Sequence, residues 1–291
     1  MHDVKGSLLE SLTLADARRR RRLNRLLRKM ARLDPVPPSG LSPRRRAMAA
    51  VLLLGLLLVG VWRLGLTGED RAGFPDRPAD AQARPIGNPP SPEVTSTAFD
   101  FLQTQPGSSE PVTYDPCAPI HLVVDPRTMV DKGMRMLEEA ADEIRAATGL
   151  SLVVDGLTDT GASPGRTATS ADGSTWTPVL VSWTDPDATP RLGGMTAGYA
   201  GSTAVERDGH RWYVTGVVML DGPQIQQTLA TDGWTAARSV LMHELGHLVG
   251  LGHVDARGQL MQPTRESGLD AWGDGDRAGL AAVGRGRCID Y

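Results

Sequence analysis

The chain has 291 residues, 40% of them hydrophobic and 22% charged, which allows one sizeable core plus tails and excludes a wholly disordered polypeptide. No nucleic-acid partner is expected, and the net charge of −3 is uninformative by itself because it averages two unlike parts. Residues 1–46 hold 13 Lys and Arg against 4 Asp and Glu, whereas residues 64–291 hold 17 against 30.

The boundary between the two parts is apolar. AMAAVLLLGLLLVGVW (47–62) carries no charge and follows directly on PRRR. Sixteen helical residues span roughly 24 Å, so a span of the roughly 30 Å hydrocarbon core runs on to residue 66 with Arg63 snorkelling to the interface. The expectation is a single transmembrane helix over 47–66 in contact with membrane lipid, a basic cytoplasmic tail at 1–46, and the rest outside the membrane by the positive-inside rule. A cleaved secretory signal is the alternative, giving a secreted protein. Against it stand a long n-region and the absence of a small-x-small site close to the run; Ala81-Gln82-Ala83 lies far downstream. The leucines among the arginines of 15–33 allow a basic amphipathic helix on anionic lipid, or simply a charge run that sets topology.

Six prolines between 67 and 95 predict an extended linker. From residue 96 to 291 the pattern is that of a folded domain. FDFLQ, PGSSE and PVTY predict a hairpin over 99–114, and IHLVV (120–124) a strand. Apolar residues at 134, 137, 140, 141 and 144 predict a helix over 134–148, with Gly149 where a helix end favours glycine. Strands follow at 152–154 and 179–183 around a polar loop (156–175). Residues 194–207 and 210–220 are expected to pair about the turn signal Asp208-Gly209. A helix N-capped by Asp232 comes next. Strand, helix, strand, strand, hairpin, helix is an α+β order with α/β character.

HELGHLVGLGH (243–253) concentrates the chemistry. His243 and His247 are four apart and share a helix face, so their imidazoles can converge on one ion at roughly 2.0–2.1 Å. Glu244 is offset around the helix, poor as a ligand but close to any water at that ion. A continued helix would carry His253 roughly 9 Å onward to the wrong face. Gly250 permits a break there, because glycine tolerates positive φ, and the chain can then return His253 beneath the ion. Three histidines leave a fourth position open, which marks a catalytic zinc rather than a structural one. Glu244 then serves as general base. Cys117 and Cys288 flank the domain. Outside the cell such a pair reads most simply as a disulfide, and closing a loop of about 170 residues allows roughly 4–5 kcal/mol in a chain-entropy model.

The motif HExxHxxGxxH, with LMQP placing Met261 eight residues after His253, resembles the metzincin zinc endopeptidases, in particular their matrixin branch. HLVVDP, the 134–148 helix and TGLSLVVDG resemble that family's first strand, helix and second strand. GMTAGYAGS (194–202) resembles its substrate-facing edge strand, and GDGDRAGLAAVG (273–284) its closing helix. The resemblance implies a twisted mixed sheet with a long first helix, an active-site helix and a C-terminal helix, and a methionine turn at Met261 under the metal. It also implies one catalytic zinc and an extended peptide substrate, and a monomeric catalytic domain is expected. Departures are visible: neither cysteine has a cysteine-switch context, residue 262 is Gln, and no counterpart of the family's structural zinc and calcium loops is recognisable, which leaves further ions open. His121 and His210 read as ordinary histidines. A cell-surface module that keeps metal without turnover, and a zinc hydrolase acting on a non-protein bond, are the rival functions.

Overall fold

A computed structural model describes residues 74–92, 95–161 and 166–291. The expected tail at 1–46 and anchor at 47–66 lie outside these residues. Among the described residues no helix is long and apolar enough to cross a membrane.

The described residues form a six-stranded mixed sheet with four helices and a short 3-10 turn. β1 (Thr113–Tyr114), β2 (Ile120–Asp125), β3 (Leu152–Leu157), β4 (Val179–Thr184) and β6 (His210–Asp221) pair in parallel in the order β1-β6-β4-β2-β3. β5 (Gly198–Arg207) pairs antiparallel with β6 along its whole length. It therefore occupies one edge of β6, while β4 and β1 share the other. β4 is buried at all six positions because it runs between parallel neighbours. Its polar Ser182 donates to Asp125 Oδ2 at 2.9 Å, so neither is left unpaired in the core. Asp208 and Gly209, at φ 53° and 74°, form the expected two-residue turn between β5 and β6.

Helix α1 (Gly133–Thr148) buries Met136, Leu137, Ala140, Ala141 and Ile144 on one face. It ends at Gly149, whose φ of 71° lets its N–H reach Arg145 O. α3 (Trp234–Val249) packs on α1 and across β5, and α4 (Asp274–Val283) closes the domain. The core between helices and sheet centres on Trp183, Leu122, Ile144 and Leu220, each fully buried. Burial of side chains of this size stabilises by about 1.5–3 kcal/mol each.

Three local expectations need correction. Residues 99–114 do not form a regular hairpin. Thr104 bridges Pro111, but Phe101 bridges Leu251, and Thr113–Tyr114 joins β6 instead. Asp232 does not cap α3. It ends an additional helix, α2 (Gly222–Thr231), while Gly233 precedes Trp234. The third concerns 67–95, whose described part is extended but not a free spacer. Gln82 N donates to Cys117 O at 2.7 Å and Ile86 N to Pro116 O at 2.9 Å. Arg285 Nη2 donates to Pro90 O at 3.1 Å. A proline-rich stretch cannot join a ladder regularly, yet single N–H groups between prolines still bond to the domain.

Cys117 and Cys288 are disulfide-bonded, tying the C-terminal tail to the segment before β2.

Candidate metal centre

α3 presents His243 and His247 one turn apart, with ring centroids 4.7 Å apart and nearly perpendicular. The helix stops at Gly250, whose φ of 120° is left-handed backbone that favours glycine. Gly250 N donates to Gly246 O and His247 O, and Leu251 N donates to Gly246 O at 2.9 Å, closing the last turn. The chain then doubles back along the segment 100–102. Leu102 N donates to Gly250 O at 2.9 Å and Gly252 N to Asp100 O at 2.8 Å. This short antiparallel clamp delivers His253.

The three rings meet. His253 Nε2 lies 3.0 Å from His247 Nε2 and 3.2 Å from His243 Nε2. The other ring nitrogens of the helical pair are committed. His243 Nδ1 faces Leu260 O at 2.7 Å and His247 Nδ1 faces Leu251 O at 2.8 Å. A carbonyl can only accept, so both Nδ1 atoms carry the proton and both Nε2 atoms present lone pairs. Burial holds the pKa of His243 at about 4 and that of His247 at about 3, and lowers that of His253. The rings are neutral at neutral pH, as ligands must be.

This donor set fits zinc. Nitrogens bound tetrahedrally at about 2.0–2.1 Å would stand roughly 3.3–3.4 Å apart, close to the separations seen. One proton shared among three converging nitrogens satisfies fewer of them than one cation does. His243, His247 and His253 form a group that could hold a metal ion. The other such group among the described residues, Asp115 with Cys117 and Cys288, has its sulfurs consumed by the disulfide.

Glu244 borders the same cleft, a cavity of about 540 Å3 that also contains the three histidines. It is 5% exposed, and its Oε2 has no hydrogen-bond partner among the described residues. Burial pushes its pKa up to about 8, with Arg191 pulling the other way. β5 comes close here because residue 198 is glycine: a Cβ on Gly198 would stand 2.8 Å from Glu244 Cγ. The far edge of β5 has no strand partner among the described residues. Its backbone donors and acceptors near Gly198–Ala200 border the cleft.

Met261 is buried beneath α3. Its sulfur would sit 2.7 Å from a Cβ added to Gly246, so the small residue at 246 makes room for it. Val254 N donates to Met261 O at 3.0 Å, joining the returning segment to this turn. The turn has a support that sequence reading missed. Asp276, fully buried on α4, accepts from Leu260 N, Met261 N (3.3 Å) and Gly273 N (3.0 Å). The doubled acidic signature GDGD was its only trace in the sequence.

His121 and His210 lie apart from this centre. His121 is held between Asp80 and Asp155 at 2.8 and 2.9 Å, and the ring of His210 lies 4.4 Å from that of Trp212. A separate cavity of about 410 Å3, between 76–80, 174–179 and the C-terminal tail, contains none of the three converging histidines.

The family model described as Matrixin matches residues 186–273, which include all three histidines, Glu244 and Met261. Comparison with curated proteins gives no match. The 186–273 segment is therefore matrixin-like, and its likeness to a metallopeptidase family agrees with a metal-binding triad beside a buried carboxylate.

Proposed function

We propose that the chain is a zinc-dependent endopeptidase acting on extended protein segments. The observation that carries this reading is the meeting of three imidazole nitrogens beside a buried glutamate oxygen that has no partner among the described residues. His243, His247 and His253 would hold the ion. Zinc, when bound, supplies Lewis-acid polarisation and makes water easier to deprotonate. Glu244 takes the proton of the attacking water and delivers it to the departing amine as the C–N bond breaks. Its proton affinity suits both directions of transfer, since burial raises it from the ordinary carboxylate range towards neutrality. A cation at the histidines would draw it back down. The edge of β5 that is unpaired among the described residues can align an extended peptide by main-chain hydrogen bonds, with Gly198 bringing that edge against Glu244. Met261 packs rather than binds.

The full-length protein and its Glu244→Ala variant, each with zinc content measured, are to be incubated with a broad peptide library. Cleavage by wild type alone supports an endopeptidase. Zinc in both with cleavage by neither identifies a metal-retaining binding module instead.

From the apolar run at 47–62 we also propose that a monomeric domain acts outside the membrane, on a single-pass anchor over 47–66. The mass of the mature chain and its fractionation with membranes decide between that and secretion after cleavage of the run.

A further inference from the structure

We infer that Arg191 forms a carboxylate-binding subsite in the cleft, so that the substrates carry Asp or Glu within a few residues of the scissile bond. This rests on the endopeptidase reading above and names the substrate class for it.

Arg191 is presented on an anchored turn. Pro190–Leu192 forms a single 3-10 turn whose Leu192 is fully buried. Thr189 N donates to Asp185 O and Ala188 N to Asp185 Oδ1, both at 2.8 Å, which fixes the approach to that turn. The guanidinium lies 4.3 Å from the centroid of the Tyr199 ring. Stacking on an aromatic face restrains the planar fork while leaving its N–H edge free. Arg191 and Tyr199 line the same cleft as Glu244 and the three histidines, which places the fork within reach of a substrate lying along β5.

The other charges of the cleft are spoken for. Arg265 is paired with Asp232. Glu266 accepts from Gln262 Nε2 at 3.1 Å and Gly258 N at 3.2 Å. Arg191 enters none of the ion pairs among the described residues. Its charge acts on Glu244 only at a distance, so an oriented guanidinium with no ion-pair partner among the described residues can accept a carboxylate from outside.

The test uses the zinc-loaded full-length chain and peptides in pairs, Glu against Gln, at each of three positions on either side of the cleaved bond. Wild type is expected to favour the carboxylate at one position by about five- to tenfold in kcat/KM. Arg191→Gln should erase that preference, and Arg191→Glu should turn it towards Lys. The same pairs titrated by fluorescence polarisation against Glu244→Ala, which cannot turn them over, should show the same preference in Kd. A flat profile at all six positions, or a preference that survives Arg191→Gln, overturns the inference while any cleavage leaves the endopeptidase reading intact. Carboxylate-selective binding without cleavage by wild type upholds the subsite and overturns the endopeptidase reading.

Discussion

His243 Nδ1 donates to the carbonyl of Leu260 at 2.7 Å, and the amide of that same Leu260 donates to Asp276. One residue thus links a candidate ligand on α3 to a buried carboxylate on α4. The link fixes the imidazole tautomer and hence the nitrogen offered to a metal.

Replacement of Asp276 should therefore act on both stability and metal binding. Asp276→Ala leaves the amides of Leu260, Met261 and Gly273 without their acceptor, at a loss of about 2–4 kcal/mol. Zinc affinity should fall about 10–100-fold through the freed His243 ring. Denaturant unfolding and chelator competition measure the two effects separately.

Gly250→Ala should be more selective. An Ala at φ 120° is strained, and its Cβ would stand 3.2 Å from Tyr213 Cε2 and 3.3 Å from Val112 O. A destabilisation of about 1–3 kcal/mol is expected. The turn that delivers His253 is displaced first, so zinc retention should fail under conditions where circular dichroism still reports a folded chain.

His121 should give stability a pH dependence. Burial disfavours its charged form, but the hydrogen bonds and charges of Asp155 and Asp80 outweigh burial and raise its pKa above the usual 6.5. A raised value means that the folded state holds this proton more tightly than the unfolded state. The contribution is thus complete below pH 6.5 and disappears as pH rises through the folded value. Because Asp80 belongs to the 74–92 segment, proteolysis of that segment should quicken over the same rise. In His121→Asn the additional pH dependence should vanish; if wild type and variant lose stability in parallel, the ring does not clamp the segment.

Reduction of Cys117–Cys288 should lower stability by about 2–5 kcal/mol. Because the bond lies away from the histidines, Cys117→Ser with Cys288→Ser should still take up zinc when folded, as metal analysis at low temperature would show.

The candidate metal centre was legible in sequence because its determinants are local. His243, His247, Gly250 and His253 fall within eleven residues, and helical geometry alone says which pair converges and why a break must follow. The helix at 133–148 and the β5–β6 hairpin were legible for the same reason: a clear apolar stripe and an Asp-Gly turn. α2 was not, because it buries only Gly222 and Ile225 and shows no stripe. Asp221, which accepts from Gln224 N at 3.1 Å ahead of Pro223, was the start signal available. Asp276 and the packed 74–92 segment depend on partners far away in the chain, and no short window contains them.

The most direct measurement is zinc stoichiometry with X-ray absorption spectroscopy on the full-length protein, beside His253→Ala. One zinc per chain in a shell of three imidazoles, with one imidazole lost in the variant, is the expected result. A folded wild-type chain that takes up no divalent ion, or a zinc shell unchanged by His253→Ala, would contradict it.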